Sequence, residues 1–498
     1  MRIDQSQDYY LLSPALAGVF VPFSRATAIY QPLPEPPGDS ARSKLYVRRG
    51  RYAYANTEVT FANQLGNWGS VNLDANFIKL ENQLQFLDTR NDRTRLILAP
   101  NVGVNSELQL GFFFNRTHAD RPFLPGFYLY EGRVTDNYSG VAASFSRALS
   151  DSQSAGLDLR YRNDDQTFES SQIYHRQRFR IYEAGLHHQL VVGRHNLHYE
   201  GDIKLVDYQS GTISEKPLSW RIALGDLLQL QPILILFGQA GLTGVSGLKV
   251  QTTLTGMLRY ELNENTDAAV ILSRQAILPT AEQRYLPTVT ADFGSGDDSY
   301  FIGGNPTLRS GSSLSIEAMG STRLQRLGIQ ARGGYTRFTD LPSWHHGNLP
   351  TIVGAYSPVS LLHQSLLFGT VNMNLTLPWG MFASAAYGAR QVASHGSNYT
   401  YGPEHELDGF TGIRFWFDRF QIIVTAAVGG KYRSNTIRYL DGSSDTDKFV
   451  AESFLSFDLK RFHFFWNYTN LLDTSYSLNG RRQPGRSHWW GFSWEFFD

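Results

Sequence analysis

The sequence predicts an all-β fold: a transmembrane antiparallel β-barrel of about 22 strands with long external loops and short periplasmic turns. Three observations predict it. Apolar and polar residues alternate with a period of two, the alternating segments have the length of a strand that crosses a bilayer, and the links between them are alternately short and long. A chain of 498 residues usually forms several domains, and large barrels are the exception.

The period of two is clearest between residues 196 and 205. Leu197, Tyr199 and Ile203 share one face of an extended chain, whereas Glu200 and Lys204 share the other. A helix would place these charges on its apolar stripe. The segment is therefore predicted to be a strand with one apolar and one polar face.

From Lys44 to Asp498 we count about 22 such segments, most near the ~9–11 residues that a tilted strand needs to cross a bilayer. Their approximate centres are residues 47, 58, 73, 97, 111, 141, 158, 184, 202, 223, 236, 254, 270, 318, 333, 371, 387, 413, 427, 454, 466 and 492.

The links provide independent support. Short turns are expected near residues 66–67, 150–152, 193–195, 263–265, 377–380, 418–419 and 460–461. Longer polar links fall near 80–91, 118–135, 164–176, 275–311, 339–360, 394–407, 432–448 and 470–485. Bacterial outer-membrane barrels have this asymmetry, with the long loops outside the cell. The short link at Gly244–Gly247, where a long loop is expected, fits poorly.

The cost of placing charge in lipid assigns the two faces. An Arg or Lys that faces the bilayer midplane costs ~2–4 kcal/mol, whereas a water-filled lumen tolerates it. We therefore expect Arg160, Lys204 and Arg259 to face the lumen and their apolar neighbours to contact lipid. On this assignment Leu205→Arg should impair folding more than Lys204→Gln.

Composition excludes several kinds of chemistry. The 45 basic residues balance 45 acidic ones, and we find no long basic run, so nucleic acid is not an expected partner. The absence of Cys excludes disulfides and thiolate metal sites. The sequence also lacks the motifs of serine hydrolases, zinc proteases and phosphate-binding loops, so no enzyme activity, catalytic residue, metal site or cofactor is predicted.

Residues 1–43 do not share the alternation and are assigned to a separate N-terminal segment, with residues 44–498 as the barrel domain. Gln31–Asp39 is Pro-rich and is expected to be an extended linker. The segment could be the remnant of a plug domain. It does not begin with a recognisable secretory signal, so we expect such a signal upstream of Met1.

Two groups of residues carry a resemblance to a known family. Towards the C-terminus the chain contains Asn470, Leu471, Leu472, Asp473, Tyr476, Pro484, Gly485 and Arg486, followed by an alternating aromatic strand. Residues 279–285 read Pro-Thr-Ala-Glu-Gln-Arg-Tyr, and Gly304, Asn305, Pro306, Thr307, Leu308 and Arg309 follow. In order and spacing these groups resemble the barrel of TonB-dependent receptors over residues 44–498.

The resemblance implies a transporter of the Gram-negative outer membrane that takes up a scarce solute, such as a siderophore, a cobalamin or a glycan. It implies outer-membrane lipid, a small-molecule or metal-chelate ligand and the TonB complex as partners. Two departures stand out: neither a plug nor a TonB-pairing segment is recognisable in residues 1–43, and the chain ends in Asp498 rather than an aromatic residue.

Barrels of 22 strands are normally plugged. We therefore expect the lumen to be filled by a plug upstream of Met1, by a partner chain, by residues 1–43, or by the long loops at 275–311 and 339–360.

Candidate ligand-binding residues lie in two predicted external loops. Trp344, His345 and His346 could contact a metal complex, and Asp297, Asp298 and Tyr300 form a polar group in the other loop. His187 and His188 are expected on opposite faces of one strand and so cannot jointly bind an ion.

Three other functions stay open. The chain could be a plugless structural or binding barrel that serves as a surface anchor or as a component of an envelope complex. It could be a passive diffusion pore, which would conduct ions without TonB. An outer-membrane hydrolase is a further class, and the missing nucleophile motifs argue against it.

Overall fold

The computed structural model describes residues 42–50, 53–80, 89–122, 131–170, 174–292, 299–349, 352–394, 404–434, 448–475, 477–478, 481–482 and 485–496. These residues form 27 strands. In chain order they are β1 (Arg42–Gly50), β2 (Ala55–Gln64), β3 (Gly69–Leu80), β4 (Thr89–Pro100), β5 (Ser106–Pro122), β6 (Glu131–Ser150), β7 (Gln153–Glu169), β8 (Tyr174–Val192), β9 (His195–Ser210), β10 (Ile213–Glu215), β11 (Leu218–Gln231), β12 (Leu234–Val245), β13 (Gln251–Asn263), β14 (Thr266–Ile277), β15 (Val289–Asp292), β16 (Ser299–Ile302), β17 (Gly311–Leu324), β18 (Leu327–Leu349), β19 (Ile352–Thr376), β20 (Met381–Ser394), β21 (His405–Phe417), β22 (Ile422–Arg433), β23 (Lys448–Leu459), β24 (Phe462–Thr469), β25 (Ser477–Leu478), β26 (Arg481–Arg482) and β27 (Ser487–Phe496).

Helical structure is confined to short segments in this part of the chain. They are the α-helix α1 (Ala281–Tyr285) and two 3₁₀ turns, Gly66–Trp68 and Pro378–Gly380. Within the ranges given above, no helix is long and apolar enough to cross a membrane.

The strands close into an antiparallel barrel of 22 strands, as the alternation predicts. Each barrel strand pairs with the next barrel strand along the chain, and β1 pairs with β27 to complete the ring. Short strands β10, β15 and β16 join the same sheet, whereas β25 and β26 form a separate hairpin. All 22 predicted segment centres fall within barrel strands.

The two ends of the barrel differ in the way the sequence predicts. The ring begins at Arg42 and ends at Phe496, and both ends lie on the side of the short turns. Outer-membrane barrels place these turns in the periplasm and the longer links outside. Some external links are nevertheless short: residues 51–54, 170–173, 246–250 and 350–351.

Several strands are longer than expected. Strands β18 and β19 contain 23 and 25 residues, and β5 to β9 contain between 16 and 20. The assignment of residues 339–360 to an external loop was therefore wrong, because the described part of this range continues the β18–β19 hairpin. Predicted loops 118–135 and 164–176 are likewise partly strand. The extra residues continue the barrel wall beyond the ~9–11 that cross a bilayer.

The outer face carries an apolar belt. Leu159, Leu186 and Ile203 lie on it with 46%, 64% and 47% of their surface exposed, and the register places them on three neighbouring strands. Such exposure suits residues that contact lipid. The belt ends at Tyr161 and Tyr182, whose rings lie 5.1 Å apart, as expected of an aromatic girdle.

The lumenal face is charged and paired. Lys204 Nζ lies 3.1 Å from Glu183 Oε1 on the neighbouring strand. Arg259 Nη2 lies 3.2 Å from Asp267 Oδ2. Both cations occupy the face opposite the belt, as the cost of charge in lipid requires.

The belt gives a sharp test of the face assignment. Ile203 lies near the middle of the apolar run on β9, whereas Leu205 lies two residues from Asp207 at its edge. Ile203→Arg should therefore cost about 2–4 kcal/mol of folding free energy in a bilayer, and Leu205→Arg less. Refolding into lipid vesicles across a urea series measures both. Lys204→Gln is the matched lumenal control, and equal tolerance of Ile203→Arg and Lys204→Gln would contradict the assignment.

Candidate functional site

A segment between β14 and β17 folds into the lumen near its external end. We call residues 278–292 and 299–310 the strap; they include α1, β15 and β16. Helix α1 begins after Thr280, whose side-chain oxygen accepts a hydrogen bond from the Gln283 N–H at 3.1 Å. The Gln283 side chain accepts one from the Thr280 N–H at 2.9 Å, which completes a capping box.

Helix α1 packs on the lumenal wall formed by β8 and β9. Ala281 joins a buried cluster with Phe179, Ile181, Val206 and Tyr208. The wall members occupy the same strand faces as Glu183 and Lys204, so the cluster lies inside the barrel. Burial of these apolar groups fixes the helix to the wall.

Polar contacts reinforce this attachment. Gln177 Nε2 donates to Glu282 Oε1 at 3.3 Å, from β8 to the helix. The Arg284 side chain is buried, donates to the Ser246 carbonyl at 3.4 Å and lies 4.8 Å from the centre of the Tyr285 ring. A buried guanidinium needs such partners, because an unpaired one would be costly.

The strap also reaches β18 and β19. Gln283 Nε2 donates to the Pro342 carbonyl at 3.4 Å, and Asn305 Nδ2 donates to the Pro358 carbonyl at 3.0 Å. The Arg309 N–H donates to Ser360 Oγ at 3.3 Å. Five barrel strands separate β9 from β18 in the ring, so the strap spans part of the lumen rather than following one wall.

A second apolar cluster lies on the wall that receives this end of the strap. Phe338, Leu366 and Phe368 are buried, and Ile277, where the strap begins, packs against them. Leu367, between two of these residues, is 54% exposed on the outer face. The cluster is therefore lumenal.

The structure brings two of the candidate ligand-binding segments together. In β18, His346 pairs with Tyr356 of β19, and Tyr356 also pairs with Ile302 of β16. Tyr300 belongs to the same short strand β16, and Trp344 and His345 belong to the same hairpin as His346. The backbone of both segments thus meets at one sheet. Asp297 and Asp298 lie outside the described residues.

The motif at residues 304–309 forms the turn through which the strap returns to the barrel wall. Asn305 Oδ1 accepts hydrogen bonds from the Thr307 N–H at 3.0 Å and from Thr307 Oγ1 at 2.6 Å. Pro306 lies between them, and Leu308 is buried with 2% of its surface exposed. These residues shape the turn and hold it to the wall.

The C-terminal motif closes the link between β24 and β27. Asn470 is buried, and its side chain bonds the backbone of Thr474 through both its nitrogen and its oxygen, at 2.8 and 3.0 Å. Asp473 Oδ1 accepts from the Arg486 N–H at 2.5 Å, and Arg486 Nε donates to the Leu471 carbonyl at 3.0 Å. These contacts bring the two ends of the link together.

Gly485 leaves room for the Asp473 side chain in these contacts. A Cβ at this position would lie 2.3 Å from Asp473 Oδ1, so the Asp473 side chain would have to move away from the Arg486 N–H. Tyr476 lies outside the described residues.

The His187–His188 pair gives no metal site. His187 Nδ1 lies 3.5 Å from Asp158 Oδ2 in the lumen, whereas the His188 ring lies 5.7 Å from the Tyr199 ring on the outer face. The two rings therefore face opposite sides, as predicted. Among the described residues, no group of three or more His, Asp or Glu could hold a metal ion.

The attachment of the strap to the wall of β8 and β9 was not predicted from sequence. Loop 275–311 was predicted only as one of several possible fillers of the lumen. A local signal was available, since Thr280 and Gln283 have the spacing of a capping box ahead of a helix. The wall residues that α1 contacts lie about 75–105 residues earlier in the chain. The local sequence around the helix therefore could not predict this contact.

Comparison with solved structures defines the class of fold. The chain has the fold of the TonB-dependent receptors of the outer membrane. It superposes on the siderophore receptor PirA from Pseudomonas aeruginosa with a TM-score of 0.74 and 11% identity, over 93% of this chain and 82% of that one. The ferric-catecholate import receptor Fiu from E. coli K12 gives 0.70 and 12%, with 93% and 82% coverage. The copper transporter OprC gives 0.75 and 10%, with 93% and 81% coverage.

At these identities the likeness establishes the fold. No protein-family model matches the sequence. No curated protein matches it either.

The attachment of the strap can be tested at Asn305. Asn305→Ala removes the hydrogen bonds to Thr307 and to the Pro358 carbonyl, each worth about 0.5–1.5 kcal/mol. We expect hydrogen exchange in residues 303–310 to accelerate by about tenfold or more, with the barrel itself intact. The matched control is Asn263→Ala, which removes a similar 2.8 Å side-chain bond to Asn265 N–H at a periplasmic turn. Unchanged exchange in the strap would show that Asn305 does not hold it.

Proposed function

We propose that this protein is a TonB-dependent receptor of the Gram-negative outer membrane that takes up a scarce solute. The observation that carries the proposal is the closed barrel of 22 strands with a strap fixed inside its external end. Passive pores usually have fewer strands and an open aqueous lumen. The fold likeness to siderophore and copper receptors points in the same direction.

The ligand would bind at the external mouth. The proposed site comprises Trp344, His345 and His346 of the β18–β19 hairpin, with Tyr300 of the adjoining strand β16. Aromatic and imidazole groups suit a flat metal chelate, because they offer stacking surfaces as well as hydrogen bonds. A ferric siderophore is the leading ligand class, with cobalamin and glycan as further classes.

Energised uptake would require a plug and the TonB complex. A barrel of 22 strands is normally plugged, so we propose that a plug fills the space below the strap. It would be supplied upstream of Met1 or by a partner chain. In the first case residues 1–43 would form the segment that joins plug and barrel.

Uptake by whole cells tests the function. Cells that produce the full chain should accumulate one ligand class in a saturable manner, with labelled ferric siderophore, cobalamin and oligosaccharide as the probes. Accumulation should stop when TonB is removed or the proton-motive force is dissipated. Uptake that is unsaturable and independent of TonB, with steady ionic conductance in planar bilayers, would show a passive pore instead. Stable capture of a partner chain without solute uptake would favour a structural barrel.

The mass of the mature protein from native outer membranes locates the plug. A mass above 56.2 kDa by the size of a domain would place it upstream of Met1. A mass equal to this value would mean that the barrel carries no plug of its own, and would leave a partner chain, residues 1–43 or the long loops to fill the lumen.

Binding at the hairpin can be tested by substitution. We expect His345→Ala combined with His346→Ala to weaken binding of the transported ligand by about tenfold or more, because hydrogen bonds to a charged ligand are worth about 1.5–3 kcal/mol. Titration of purified receptor with the ligand measures the effect. His188→Ala is the matched control, since its ring lies against Tyr199 on the outer face. Equal affinity of all three proteins would remove the two histidines from the site.

A further inference from the structure

The outer surface of β8 carries three arginines directly above the apolar belt. Leu186 and Tyr182 lie on the outward face of this strand and are 64% and 45% exposed. Arg180, Arg178 and Arg176 follow on the same face toward the external end. We call these three residues the outer arginine stripe. It begins one outward position beyond the aromatic girdle, at the level where lipid headgroups replace hydrocarbon.

The charge of the stripe exceeds that of its carboxylate partners. Arg176 Nη2 and Arg178 Nη2 both bond Asp165 Oδ2, at 2.5 and 3.2 Å. Arg180 Nη1 lies 3.6 Å from Asp207 Oδ2. Three guanidinium groups therefore share two carboxylates.

Asp165 is ionised in this arrangement. Hydrogen bonding from Arg176 holds the pKa of the Asp165 carboxyl below its ordinary value. The positive excess of the stripe is thus one charge. The side chains of Arg176, Arg178 and Arg180 are 52%, 34% and 37% exposed, so N–H donors are left for a further anion.

The same surface extends onto neighbouring strands. Arg116 on β5 pairs in register with Asn137, Asn137 with Asp165, and Asp165 with Arg178. Neighbouring strands are roughly 4.8 Å apart, so the backbones of Arg116 and Arg178 are about 14 Å apart. Arg116 also lies opposite Asp92 of β4 in register, and Arg90 bonds the same carboxylate. Arg133 bonds Asp120 and lies opposite Glu169. Glu169 at the external end of β7 adds a further carboxylate.

Position and chemistry together indicate the partner. Guanidinium groups bind phosphate through paired, charge-assisted hydrogen bonds. Clusters of Arg or Lys next to the hydrocarbon region recognise anionic lipid headgroups. The stripe faces away from the lumen, so a transported solute would not meet it. We propose that the outer arginine stripe binds the phosphate groups of a phosphorylated lipid in the outer leaflet, with Arg116 as an additional contact.

Reconstitution in lipid nanodiscs tests this proposal on the full chain. The discs contain zwitterionic lipid with increasing amounts of a diphosphorylated outer-leaflet glycolipid. Lipid retained by the barrel is measured by native mass spectrometry, and the melting temperature is recorded alongside. The combined substitution R176Q/R178Q/R180Q should weaken retention by on the order of 100-fold. Arg221 is a third lumenal cation, with its Nη2 3.2 Å from Glu200 Oε2. The lumenal combination K204Q/R221Q/R259Q removes the same charge and should retain the lipid as the unchanged protein does.

Several outcomes would overturn the proposal. Equal retention by the stripe variant would show that these arginines do not bind the lipid. Equal retention of the dephosphorylated glycolipid would show that phosphate is not recognised. A melting temperature raised as much by inorganic phosphate as by the lipid would assign the stripe to free phosphate. If the triple variant does not fold, R178Q alone is measured in the same way, and the result is judged by the same criteria.

Discussion

The structure depends on the need to satisfy every backbone N–H and C=O group within the hydrocarbon core. A sheet can do this only if it has no free edge, and here β1 pairs with both β2 and β27. Because the barrel is closed, each strand has one face toward lipid and the other toward the lumen. The period of two, the outward leucines and the inward charges all follow from that arrangement.

Closure also explains why the lumen tolerates so many ionisable groups. Lys204 and Glu183 lie opposite each other on neighbouring strands, and Arg259 lies near Asp267. In a water-filled lumen a charged group does not depend on its ion-pair partner alone, because water solvates the part of the group that the partner does not contact. On the lipid side no water is available. The two faces of one strand therefore carry sequences of opposite character.

The same constraint decides how much of the fold can be predicted from sequence. Within the bilayer, alternation such as Tyr199, Ile203 and Leu205 against Lys204 is obligatory, so strands and their number were predictable. Above the bilayer both faces of a strand meet water. Outward Asp165 and Arg178 look like loop residues there, and the strand lengths were underestimated accordingly.

The candidate site was harder to predict because it depends on contacts between distant parts of the chain. Polarity and aromatic content placed Trp344 and His346 in an exposed segment. Only the pairing of β16 with β19 shows that Tyr300 and His346 belong to the same sheet. The motif around Asn305 was recognised by resemblance, whereas its bond to the Pro358 carbonyl required the structure.

The external part of the barrel is not surrounded by the hydrocarbon of the bilayer, so interactions within the protein have to stabilise it. Outside, ion pairs such as Arg180 with Asp207 link neighbouring strands, but exposed pairs of this kind contribute little. Inside, the strap buries Ala281 against the wall and connects it to β18 and β19 through Gln283 and Asn305. Burial of apolar surface stabilises this region more than the exposed ion pairs do. The strap therefore both narrows the lumen and supports the hairpin that carries the proposed ligand site, so a substitution that releases it should disturb that hairpin as well.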